Sequence, residues 1–130
     1  MRTLLDTSVL VALERRQLDP SLVIEDDDEP AIPAIVAAEL LLGVELSDES
    51  RRLARVLMVE QTLERLEVVA YDLAVARAHA ALLARARGTG LARGAHVLII
   101  AATASATGRT VVTRGRGFDD LPGVAVRRVG

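Results

Sequence analysis

Thr3-Leu4-Leu5-Asp6-Thr7-Ser8-Val9-Leu10-Val11, residues 3–11, is the stretch that decides the fold. The short apolar run Thr3, Leu4, Leu5 has the length and composition of a buried strand. A Thr or Ser placed before Val9, Leu10, Val11 and Leu13 has the chemistry of a helix N-cap. Asp6 therefore stands at the carboxyl end of a first strand. In open α/β sheets ligands bind in the crevice outside the carboxyl ends of the strands, so a carboxylate there points into the usual site. Burying it without a partner is costly, and a metal or hydrogen bonds normally offset that cost. Asp6 is thus a candidate metal ligand, and its other reading is a plain cap on the following helix.

Outward from this unit, strands and helices alternate. A first helix is predicted over residues 8–16. The loop of residues 17–30 carries Glu25, Asp26, Asp27, Asp28 and Glu29, five adjacent acids expected to be solvated because they repel one another. Ala31 and Ile32, between Pro30 and Pro33, make a short second strand, followed by an Ala- and Leu-rich helix over 34–46 with Gly43 as its weak point. Residues 50–66 place Leu53, Val56, Leu57, Val59, Leu63 and Leu66 at helical spacing. A third strand over 67–70 leads to Asp72, a cap for a helix over 73–87 that Gly88, Thr89 and Gly90 stop. An apolar helix over 95–106 ends near Gly108, and a fourth strand (109–113) and a fifth (124–129) close the pattern. Such alternation implies right-handed crossovers and one α/β domain over residues 1–130. Its sheet is expected to be mainly parallel, of four or five strands, covered by helices on both faces.

With 51% hydrophobic residues in 130, the core should be well filled. The formal net charge of -2 and pI near 5.7 argue against binding nucleic acid through bulk positive charge, so any such contact must be local. Cysteine is absent, which excludes disulfides and thiolate zinc sites. The start runs into a strand bearing Asp6 without the apolar segment and cleavage site of a signal peptide, and no apolar run reaches bilayer length. The expectation is a soluble, cytoplasmic protein with no membrane partner. A phosphotransfer domain built on a strand-end Asp fits poorly, because receivers use a later Lys and this chain has none.

At LLDTSVLVALE (4–14) the chain resembles the PIN-domain family, and within it the VapC toxins of bacterial toxin and antitoxin pairs. AIVAAELLLGVE (34–45) is similar to the helix carrying that family's second acid. RGAHVLIIAATASATGRTVVT (93–113) is similar to its third-acid helix and following strand, and GFDDLPGV (117–124) to the approach to its closing strand. The resemblance implies a PIN-like three-layer fold and a Mg2+- or Mn2+-dependent endoribonuclease. It also implies a homodimer that a small VapB-like antitoxin neutralises.

Three or four acids share the chemistry in that family, and by resemblance Asp6 and Glu39 match the first two. Glu39 is also an isolated acid among Val36, Ala37, Ala38, Leu40, Leu41 and Leu42, which favours a functional role over chance exposure. Glu45, six residues further on, is the weaker candidate, read more readily as an exposed helix-end acid. The departures are three. Val97 stands where the family has an Asp after the His, Gly115 where it has an Asp or Asn after the strand-end Thr, and Gly117 where it has an Asp before the Phe. Asp119 or Asp120 either substitutes in part or belongs to a turn before Leu121, Pro122 and Gly123. Two functions follow as expectations: a ribonuclease of reduced activity, or a catalytically inactive PIN domain acting through antitoxin binding.

Thr7, Ser8 and Thr113 place hydroxyls beside the expected site, able to bind water, metal or phosphate. His79 and His96 have no partner at helical spacing and are read as packed or exposed. Arg85, Arg87 and Arg93 surround residues 88–94, and Arg109, Arg114 and Arg116 flank a strand end, so either set is a candidate contact to an RNA backbone. With Tyr71 and Phe118 as the only aromatics, a base-stacking platform of the kind used by single-strand binders is nearly excluded. The helices of residues 50–87 carry more apolar surface than a small sheet covers, which suits an amphipathic partner helix, a second copy or core packing.

Overall fold

A computed structural model describes residues 1–89 and 94–130. The elements run β1 (Arg2–Leu5), α1 (Thr7–Glu14), α2 (Pro20–Val23), β2 (Glu29–Pro33), α3 (Ala34–Glu45), α4 (Glu49–Arg65), β3 (Glu67–Val69), α5 (Leu73–Thr89), α6 (Ala95–Thr107), β4 (Thr110–Thr113) and β5 (Val126–Arg128). All four strand pairings are parallel, in the order β3-β2-β1-β4-β5, with Thr3 of β1 opposite Pro30 on one side and Thr110 on the other. Because β1, β2 and β3 step one way across the sheet and the β3-to-β4 crossover returns past β1, right-handed connections put α1–α4 on one face and α5–α6 on the other. The reversal of order falls between β1 and β4, the place where such sheets open a crevice.

Burial explains the residue choice. Thr3, Leu4 and Leu5 are fully buried, as the middle strand of a parallel sheet requires, and each buried Leu contributes roughly 1.5–3 kcal/mol. Helix α6 is apolar nearly all round because Leu98, Ile100, Ala101, Ala102 and Ala104 are all buried, and its small side chains let α5 pack closely. Helix boundaries follow local chemistry. The carboxylate of Asp72 accepts the Val75 N–H at 3.0 Å, that of Asp48 accepts from Arg51 at 3.1 Å, and α6 ends on Gly108 at φ 63°. Gly43 is accommodated inside α3, where a Cβ would lie 3.3 Å from the Arg55 guanidinium of α4. Gly90 and Arg93, part of the predicted stop and of one arginine set, lie outside the described residues.

Three expectations are corrected. The cap of α1 is Asp6 itself rather than Thr7 or Ser8, since its carboxylate accepts the Thr7 N–H. The acidic run is not uniformly solvated: the Asp28 side chain is only 2% exposed and bonds Arg127 at 2.8 Å. That bond, followed by the Glu25 N–H, holds the Asp28 carboxyl below its usual range. Arg127 comes from β5, a partner that no local spacing reveals. Arg109 does not join a surface set either. It is 5% exposed at the amino end of β4, donating to the carbonyls of Thr3 and Glu29 at 3.2 Å each and to Glu67 at 2.8 Å, on the edge of the sheet opposite Asp6.

Candidate active site

The carboxyl ends of β1 and β4 meet at Asp6. Its backbone N–H continues the ladder by donating to Val112 O at 3.0 Å, which fixes the position from which the side chain leaves. Oδ1 accepts the Thr7 N–H at 2.8 Å, and Oδ2 accepts the hydroxyls of Thr113 at 2.8 Å and Ser8 at 3.0 Å. Three of about four acceptor directions are therefore filled by neutral donors. Asp6 has no ion pair among the described residues, so its charge is stabilised by dipoles and left uncancelled. Thr113 is fully buried and is itself held, because its Oγ1 accepts the Gly115 N–H at 3.1 Å.

Glu39 leaves the second turn of α3, the helix that follows β2, and pairs across to α6, where His96 Nδ1 lies 3.2 Å from its Oε1. This pairing escapes a search for helical spacing because the two residues are on different helices. Next to His96 is Val97, and a Cβ built on Gly117 would meet Val97 Cγ2 at 3.3 Å. The positions expected to carry acids, 97 and 117, are thus adjacent in space and apolar. At Gly115 a Cβ would lie 3.8 Å from Thr113 Oγ1, beside the Asp6 cluster. Contacts run unbroken from Asp6 through Thr113 to Gly115, and separately from Glu39 through His96 to Val97 and Gly117.

The remaining candidates fall elsewhere. Glu45 is exposed and pairs with Arg52 at 3.6 Å. Asp119 lies in the turn of residues 117–120 and pairs with Arg128, and Asp120 adopts φ 63° in that turn. The Thr7 hydroxyl is buried without a hydrogen-bond partner among the described residues. Tyr71 and His79 bond each other at 2.7 Å, and Phe118 is in the core. Among the described residues no three His, Asp or Glu side chains cluster closely enough to hold a metal.

The PIN domain family model matches residues 3–124. The chain belongs to the PIN domain family. Within it the similarity is to VapC proteins: ribonuclease VapC4 of Mycobacterium tuberculosis is 32% identical over 125 residues, covering 96% of this chain and 95% of that protein. The structure of VapBC2 from Rickettsia felis bound to a DNA fragment from its promoter superposes with a TM-score of 0.88 at 25% identity, covering 98% of each chain. VapBC-5 of Mycobacterium tuberculosis gives 0.82 at 30% identity, again over 98% of each. These agree with the five-stranded parallel sheet of this PIN domain.

Proposed function

We propose that this chain, as one PIN domain over its whole length, is a VapC-type toxin: an endoribonuclease that hydrolyses RNA phosphodiester bonds with Mg2+ or Mn2+. We also propose that a VapB-type antitoxin silences it. The observation that carries the reading is the strand-end carboxylate of Asp6, its charge uncancelled and its orientation fixed by Thr7, Ser8 and Thr113. Asp6 and Glu39 are the residues that would hold the ion. Two carboxylates suit a single hard ion that keeps most of its water and takes further oxygens from a phosphate. They do not suit a pair of ions bridged by three or four acids. A bound divalent ion supplies Lewis acidity at a phosphoryl oxygen and water of lowered pKa.

The chain's own groups do the positioning. Thr113 and Ser8 keep Asp6 in one rotamer, so no reorganisation is needed when charge arrives. His96 holds Glu39 toward the start of α6. Partner binding is supported by apolar surface on α3 and α4, where Leu42, Leu46, Leu53 and Leu57 are more than half exposed. It is supported also by an apolar cavity of about 380 Å³ lined by Leu10, Leu13, Leu40, Met58 and Leu66. An amphipathic antitoxin helix or a second copy in a homodimer would bury such surface. No helix among the described residues is long and apolar enough to cross a membrane, and an RNA substrate places the work in the cytoplasm.

Val97 and Gly117 favour a second reading, a catalytically inactive domain that acts by binding antitoxin. Cleavage of single-stranded RNA by antitoxin-free protein in Mn2+ separates the two. The ribonuclease reading expects cleavage that Asp6→Ala removes and Val97→Asp raises by at least about tenfold, the least that even a residue supporting a metal ligand is worth. Cleavage by Val97→Asp alone, with none by the parent, establishes the inactive reading instead.

A further inference from the structure

A groove of about 530 Å³ opens beside Asp6, between the end of α1 and the segment that follows β4. Its wall includes Ser8 and Gly115, and both belong to the Asp6 cluster: Ser8 Oγ donates to the carboxylate, and the Gly115 N–H anchors Thr113. Where the groove meets the site, Gly115 contributes no side chain. The outer wall carries Arg15, Gln17, Arg114 and the terminal Gly130, where a Cβ would lie 3.1 Å from Arg114 Nε, and no acidic side chain lines it among the described residues.

These two arginines differ from the five that the fold pairs with acids. Arg52, Arg55, Arg109, Arg127 and Arg128 each face a carboxylate. Arg15 is exposed and its guanidinium has no hydrogen bond or ion pair among the described residues, while Arg114 reaches only the neutral Gln17 Oε1 at 3.4 Å. No acidic side chain therefore cancels their charge before an anion arrives. The Arg114 backbone is fixed to the site, because its N–H donates to Ser8 Oγ at 3.3 Å. A guanidinium matches phosphate oxygens with two parallel donors, and no aromatic ring lines the groove to stack a base.

We infer that this groove is the track for single-stranded RNA next to the cleaved bond, with Arg15 and Arg114 holding consecutive stretches of its phosphate backbone without reading sequence. The inference rests on the ribonuclease reading and adds the surface that delivers substrate to Asp6. It separates Arg114 from Arg109, which the structure commits to the opposite edge of the sheet.

The test is fluorescence anisotropy of a labelled single-stranded RNA oligonucleotide with antitoxin-free protein in EDTA, across a salt series, so that binding is read without turnover. Each lost phosphate contact should flatten the slope of log K against log salt by about 0.7 and weaken binding roughly fivefold at about 0.1 M salt. Arg15→Gln with Arg114→Gln should therefore flatten the slope by about 1.4. Arg52→Gln, on α4 and paired with Glu45, should leave it unchanged. Both substituted sites are exposed, and circular dichroism melts establish that the variants fold. If the parent binds and the double variant matches Arg52→Gln, the groove assignment is wrong while the ribonuclease reading stands. If the parent fails to bind RNA at any salt, the ribonuclease reading itself is contradicted.

Discussion

The two edges of the sheet handle charge in opposite ways. At the amino edge, enclosed cations are matched at their terminal nitrogens, though the Nε of each has no partner among the described residues: Arg109 meets two backbone carbonyls and Glu67, and Arg127 meets Val23 O and Asp28. At the carboxyl edge, the Asp6 carboxylate receives only neutral donors, and Glu39 meets a half-exposed His96. Matched charge ties strands together, whereas unmatched charge in a crevice is a standing demand for a cation or a polar ligand. The amino edge thus reads as scaffold and the carboxyl edge as site. Position 97 sharpens the contrast, since an apolar Val stands where the resemblance leads us to expect an Asp.

The strongest way to break this comparison is Arg109→Met, which leaves the Thr3 and Glu29 carbonyls without that donor and Glu67 without its cation. It should cost about 3 kcal/mol in urea unfolding, Glu67 being largely exposed, and leave metal binding at Asp6 intact. A loss below about 1 kcal/mol would remove the amino edge from the scaffold. Thr113→Val acts at the other edge. It deletes a hydrogen bond to a charged oxygen and should cost about 1.5 kcal/mol, while also weakening metal binding, a double effect that Arg109→Met lacks.

The smallest effect concerns acid. Asp28 has a folded pKa below the 3.8 of the free carboxyl, so its stabilisation is complete above that value and is lost as the pH falls through it toward the folded pKa. Asp28→Asn should therefore flatten the acid limb of a stability profile below about pH 4 and leave the site unaffected.

Much of this was legible in the sequence, for a physical reason. Residues 3–13 combine a buried strand, an acid and a helix start, and each signal is local. The helices of 34–46 and 50–66, the Asp72 cap and the Gly108 stop follow from propensity and spacing, and the structure reproduces them within a few residues. Missed features depend on partners distant in the chain. Asp28 looks like one of five solvated acids until Arg127 is brought beside it, and Arg109 looks like a surface cation until the register of β1, β2 and β4 encloses it. Glu39 and His96 meet only because α3 and α6 cross. Arg15 had no signal, since its importance is a groove formed with a segment about 100 residues away.

The most direct measurement is calorimetric titration of Mn2+ into the antitoxin-free protein, beside Asp6→Ala and Glu39→Gln. The account predicts one binding event in the parent that Asp6→Ala abolishes and Glu39→Gln weakens by roughly tenfold or more. Equal binding by the parent and Asp6→Ala would contradict it, because the uncancelled carboxylate at the end of β1 would then not be what holds the ion.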